Sequence, residues 1–100
     1  MIIIVEDEYL GVLLNGNYKG KPKHDEQVVK KLKMRVAQIK SAKNENDLRS
    51  NVALHFEKLS EKRYKDKYSI RVHGNWRLIF SISEDKIKIV HIEELSDHYK

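Results

Sequence analysis

The sequence contains no cysteine. That excludes disulfides, thiolate metal ligands and a cysteine nucleophile. Proline and tryptophan occur once each, as Pro22 and Trp76. Long apolar runs are missing as well: the longest is Met1-Ile2-Ile3-Ile4-Val5. A membrane helix needs about 20 apolar residues, and a signal peptide an apolar stretch of roughly 7–15. The expectation is a cytoplasmic protein with no membrane partner. No repeat, low-complexity tract or linker interrupts the chain, so residues 1–100 are expected to form a single domain. The five histidines, His24, His55, His73, His91 and His98, show neither an HExxH pattern nor helical metal-ligand spacing. No metal and no cofactor are expected.

What the chain has in quantity is charge. Hydrophobic residues make up 40% and charged residues 35%. That is too apolar for a disordered chain and too polar for a membrane protein. The formal net charge is +5, unevenly spread. Lys19 to Lys43 holds nine Lys/Arg against Asp25 and Glu26, and Lys58 to Arg77 holds seven against Glu61 and Asp66. Such blocks suit a polyanionic partner; the plainer alternative is a solvated, lysine-rich surface.

Met1–Val5 reads as a short buried strand, and Glu6–Leu14 as a helix stopped by Asn15-Gly16-Asn17. The strongest helical signal spans Asp25 to Lys40. Val29, Leu32, Val36 and Ile39 form its apolar stripe. Lys30, Lys31, Lys33 and Arg35 are assigned to its outer face. Asn44–Ser50 reads as a further turn of helix with Asn44 or Asn46 as cap. Beyond residue 51 the period changes to 2. Ala53–Leu59, Tyr68–Val72, Trp76–Ile82 and Lys86–Ile92 are predicted strands, and Glu93–Lys100 a polar tail. Helices followed by a strand meander give an α+β fold, with the helices on one face of a mainly antiparallel sheet.

Strand parity gives a sharper result. Tyr68, Ile70 and Val72 share one face; Trp76, Leu78 and Phe80 share one face of the next strand. Keeping both sets together requires an odd loop, met by His73-Gly74-Asn75. Arg71 then faces Arg77. Like charges directly opposite each other are destabilising. They need an acid such as Glu57, free solvation, or a bound anion. The last reading is a phosphate clamp, because guanidinium forks match phosphate oxygens bidentately. His55, on the strand face opposite Leu54 and Phe56, shares the side of the arginines. His91 reads as a packed strand histidine.

These residues carry a resemblance. Leu54-His55-Phe56-Glu57-Lys58-Leu59, Tyr68-Ser69-Ile70-Arg71-Val72, Trp76-Arg77-Leu78-Ile79-Phe80 and Ile92-Glu93-Glu94-Leu95-Ser96-Asp97-His98-Tyr99 resemble the C-terminal half of HigB-like toxins of the RelE/ParE superfamily. Gly16 with Lys19-Gly20-Lys21-Pro22, and Ala42 before Asp47-Leu48-Arg49, are similar to the N-terminal half. The resemblance implies a RelE-like fold and a ribosome-dependent messenger-RNA endonuclease. It also implies a cognate HigA-like, helix-turn-helix antitoxin, with the ribosome and mRNA as further partners.

By the resemblance, His55, Arg71, Arg77, His98 and Tyr99 are the catalytic set, and Lys58 and Asp97 RNA-binding residues. The lysine blocks, Lys30 and Lys33 among them, would attract ribosomal RNA without regard to sequence. Many relatives end in Asp-Tyr-His, whereas this chain ends in Asp-His-Tyr-Lys. Lys58 has the strand parity of Phe56, so it reaches the arginine face only through a strand end or bulge. RNA supplies its own 2′-hydroxyl nucleophile. Arg71 and Arg77 would hold the phosphate, His55 or His98 would move protons, and Tyr99 would stack or donate a proton. The alternatives are a ParE-like DNA gyrase inhibitor and a non-catalytic RNA- or ribosome-binding module. Inhibition by binding alone has no need of the titratable rings.

Overall fold

The computed structural model describes residues 1–97. Chain order is β1 (Ile2–Val5), α1 (Glu8–Leu14), α2 (Glu26–Ser41), α3 (Glu45–Ser50), β2 (Glu57–Lys58), β3 (Tyr68–His73), β4 (Trp76–Glu84) and β5 (Lys88–Ser96). Single 3-10 turns occupy Val52–Leu54 and Lys62–Tyr64. The sheet order is β1-β5-β4-β3-β2, with β1 parallel to β5 and every other pairing antiparallel. This is the expected α+β, RelE-like arrangement. No helix among the described residues is long and apolar enough to cross a membrane.

Each helix begins where a short acid or amide caps it. Asp7 accepts from the Leu10 amide at 2.9 Å, Asp25 from Gln27 at 3.0 Å, and Asn44 from Asn46 and Asp47. The caps satisfy amides that have no partner inside the helix. At the other end of α2, the Met1 ammonium donates to the carbonyls of Lys40 (2.9 Å) and Ala42 (2.6 Å). A positive charge there meets the negative end of the helix dipole and ties β1 to α2.

The helices cover one sheet face. Leu10, Leu13, Val28, Leu32, Ile39, Leu48 and Leu54 pack there against Ile70, Val72, Leu78, Phe80, Val90 and Ile92. Among the described residues, the other face is covered in its middle, where Leu59 and Tyr64 fold back onto Ile79.

Five sequence expectations need correction. Strand β1 is not buried on both faces: Ile3 and Val5 pack on the core, while Ile2 and Ile4 are exposed. The buried line of α2 is Val28, Leu32, Arg35 and Ile39, with Val29 and Val36 at its margins. Arg35 is therefore inside, its Nη1 donating to Gln38 Oε1 at 2.9 Å and its Nε without a partner among the described residues. Ala53–Leu59 is not one strand. A 3-10 turn ends at His55 in left-handed backbone (φ +46°), and only Glu57–Lys58 pairs. The β3–β4 turn has two residues, Gly74 and Asn75, because His73 pairs with Trp76. A register shift between Arg71 and His73 restores the predicted Arg71–Arg77 pairing. Finally, β5 continues to Ser96, because a shift at Ile79/Phe80 leaves Glu93 as an extra residue and keeps Leu95 opposite Leu78.

Candidate functional site

The β3–β4 ladder sets Arg71 directly opposite Arg77 at the hairpin end of the face away from the helices. The two guanidiniums are held differently. Arg71 is exposed, and no described residue gives it a hydrogen bond or ion pair. Arg77 is clamped. Its Nε donates to Ser69 Oγ at 2.9 Å, its Nη2 to the His55 carbonyl at 2.6 Å, and Glu57 Oε1 lies 3.5 Å away. Ser69 is fully buried, and only 14% of the Arg77 side chain is exposed. The Glu57 carboxylate and these two neutral acceptors help to offset the repulsion expected from parity.

His55 reaches this site through its main chain. Its carbonyl holds Arg77, while its ring is exposed at the rim. Lys58 pairs with Tyr68, a residue that packs toward the helices, so its exposed side chain starts from the opposite side of the sheet edge. Ser96 pairs with Arg77 across β4–β5, and exposed Asp97 follows it. Lys30 and Lys33 are exposed on α2, in the helical layer beyond the sheet. His98 and Tyr99 lie outside the described residues.

Two groups near the site have no clear signal in the sequence. Glu57 is legible only as a possible acid partner. The strand of two residues that aligns it with Ser69 is set by the preceding left-handed turn. The second group is an aromatic cluster at the sheet end. Tyr9 Oη is 3.0 Å from His24 Nδ1, and the His24 ring meets the Trp76 edge at 4.7 Å. Burial, and then the Lys23 charge, push the His24 imidazole below its ordinary pKa, while the Asp97 carboxylate pulls the other way. The parity of Trp76 points to this cluster, but nothing in the pattern brings in Tyr9 and His24.

Across the middle of the face, Lys67 pairs with Glu93. Burial would raise the Glu93 carboxyl, but hydrogen bonds from Lys67 and Ser81 outweigh it and hold the group below its ordinary range. Among the described residues, the hairpin end therefore offers a clamped guanidinium, an exposed guanidinium without a partner and a carboxylate. That set can grip an anion and hold a proton acceptor beside it. No group of three potential metal ligands occurs among the described residues.

No curated protein matches the chain. The model of the RelE-like toxin of the type II toxin–antitoxin system HigB matches residues 6–94. With the fold described above, the chain belongs to this family: it is a type II toxin whose counterpart is an antitoxin.

Proposed function

We propose that this toxin is a ribosome-dependent messenger-RNA endonuclease that cuts by attack of a 2′-hydroxyl on the adjacent phosphate. The observation that carries the reading is the Arg71–Arg77 pair on the sheet face away from the helices, one arm clamped and the other exposed. A clamped fork beside an exposed one suits a phosphate whose oxygens gain charge in the transition state. The substrate brings its own nucleophile, so the protein has only to align it, neutralise charge and move protons.

In this reading Arg77 sets the position of the phosphate, and Arg71 closes on it. The His55 or His98 ring accepts the 2′-hydroxyl proton, and the other protonates the leaving 5′-oxygen. Tyr99 stacks on a base or donates a proton, Asp97 contacts the RNA, and Lys58 contacts its backbone from the sheet edge. Lys30 and Lys33, on the helical layer, attract ribosomal RNA. The antitoxin would be a HigA-like, helix-turn-helix protein.

The test is to incubate the protein with translating ribosomes and map new RNA 5′ ends. Cuts that disappear with Arg71→Ala and His98→Ala, both folded, are the expected result. Intact RNA with trapped gyrase–DNA complexes would replace the reading with gyrase inhibition. Ribosome binding without cuts would reduce it to a binding module.

A further inference from the structure

The sheet face away from the helices carries a second cluster apart from the arginines. His91 on β5 faces Ser81 on β4 and Ile4 on β1. Ser83 and Glu6 sit diagonally on either side of it. Ser83 Oγ lies 2.8 Å from His91 Nε2, and Glu6 Oε1 lies 2.9 Å from Nδ1. Glu6 is anchored because its amide donates to the Ile92 carbonyl at 2.8 Å. The three side chains, with Ser81, Ile82 and Glu93, line a shallow depression of about 410 Å³.

Proton directions follow from the donor inventory. An ionised carboxylate only accepts, so His91 Nδ1 carries the hydrogen. In the neutral ring Nε2 is then an acceptor, and the Ser83 hydroxyl donates to it. A hydroxyl, a base and an orienting carboxylate in this order form the arrangement that activates a serine. Nothing in the RNA reading uses these residues. Ser81 is four residues along β4 from Arg77, roughly 13 Å at about 3.3 Å per residue.

We propose that Ser83 is an activated nucleophile that accepts acyl groups from small, neutral or cationic esters or thioesters. His91 is its general base and Glu6 the positioning residue. The depression is too shallow for a large acyl chain, and the Glu6 carboxylate disfavours anionic donors, Glu93 being paired with Lys67. In the step, Ser83 Oγ bonds to the acyl carbon as its proton passes to His91 Nε2. The tetrahedral intermediate expels the alkoxide or thiolate, which takes that proton. Water then attacks the acyl-serine in the same way, releasing the carboxylic acid and restoring the hydroxyl.

The experiment uses the full chain and p-nitrophenyl acetate, a neutral ester. Mass spectrometry locates the acetyl group, and circular dichroism checks each variant for folding. Ser83 should acylate roughly 10²–10⁴-fold faster than exposed Ser60, the share that acid–base assistance supplies. His91→Gln should return Ser83 to the Ser60 rate. Glu6→Gln should slow it, and Glu6→Asp should restore part of the loss, which a purely structural role would not give. Equal rates at Ser83 and Ser60 would overturn the proposal, as would a Ser83 rate indifferent to His91→Gln in a folded variant. A rate indifferent to Glu6→Gln would overturn the positioning role.

Discussion

At the scale of single residues, the two arginines are not equivalent, and mutation should separate them. Arg77 supports the structure as well as the site. Removing it strands the buried Ser69 hydroxyl and gives up a charged hydrogen bond to the exposed His55 carbonyl. Hydrogen bonds to charged groups are worth about 1.5–3 kcal/mol each, and a stranded polar group costs its desolvation. Arg77→Ala should therefore lower the urea midpoint by roughly 2 kcal/mol of stability as well as abolish cleavage. Arg71 is exposed and unpaired among the described residues. Arg71→Ala should leave stability within about 0.5 kcal/mol and lower cleavage roughly 10²–10³-fold. Equal stability losses in the two variants would contradict the division. Loss of activity in Arg77→Ala alone says little about catalysis, because the fold at the site changes with it.

At the scale of elements, the segment around His55 shows what periodicity can and cannot reveal. Leu54 and Phe56 are two apart and both turn inward, which reads as a strand. The chain instead makes a 3-10 turn, passes through left-handed backbone at His55, and stacks Phe56 on Tyr68 at 5.4 Å. A left-handed non-glycine residue costs roughly 1–2 kcal/mol. His55→Gly should thus keep or raise the urea midpoint while preserving the carbonyl that holds Arg77. If the His55 ring moves protons, cleavage by this variant falls; undiminished cleavage with a raised midpoint would assign His55 a backbone role only. The Arg71–Arg77 pairing was legible because Tyr68, Ile70 and Val72 alternate cleanly and Trp76, Leu78 and Phe80 keep the same period, although Ile79 breaks the polar set. The shift between Arg71 and His73 was not, since an extra residue leaves no mark on composition. The end of β5 was hidden for the same reason. With Glu93 bulged, Ile92 and Leu95 both face the core three residues apart, a spacing that mimics a strand that has ended. Arg35 was misplaced because a helix stripe can hold a long cation whose stem packs and whose tip finds Gln38.

At the scale of the whole molecule, ionisable groups set both its tolerance of acid and its choice of partner. His24 resists protonation in the folded state, so the unfolded chain takes up its proton first. Stability should begin to fall as pH drops below the ordinary histidine value of 6.5. Glu45 is held low, foremost by its hydrogen bond from Lys88, and Glu93 is held low by Lys67 and Ser81 against the opposing effect of burial. Their contribution is present above about 4.5, the ordinary glutamate value, and is lost as pH falls through the lower folded values. Urea midpoints from pH 8 to 3 should decline in two stages, and His24→Gln should remove the upper one; a flat profile from pH 7 to 5.5 in the parent protein would contradict the assignment. The charge layout divides the surface in the same way. Arg71 and Arg77 occupy one side of the sheet, while Lys30 and Lys33 stand on the helical layer across it. A single nucleotide cannot touch both sets, so the lysines must act on a different stretch of polyanion. Each phosphate they neutralise adds about 0.7–0.9 to the slope of log affinity against log salt. Replacing Lys30 and Lys33 by Gln should weaken ribosome binding and reduce that slope by up to about two. The pattern of cut sites should stay as it is, because the groups that hold the scissile phosphate are untouched. A changed cut pattern with an unchanged salt slope would put these lysines at the scissile nucleotide and break the separation of the two faces.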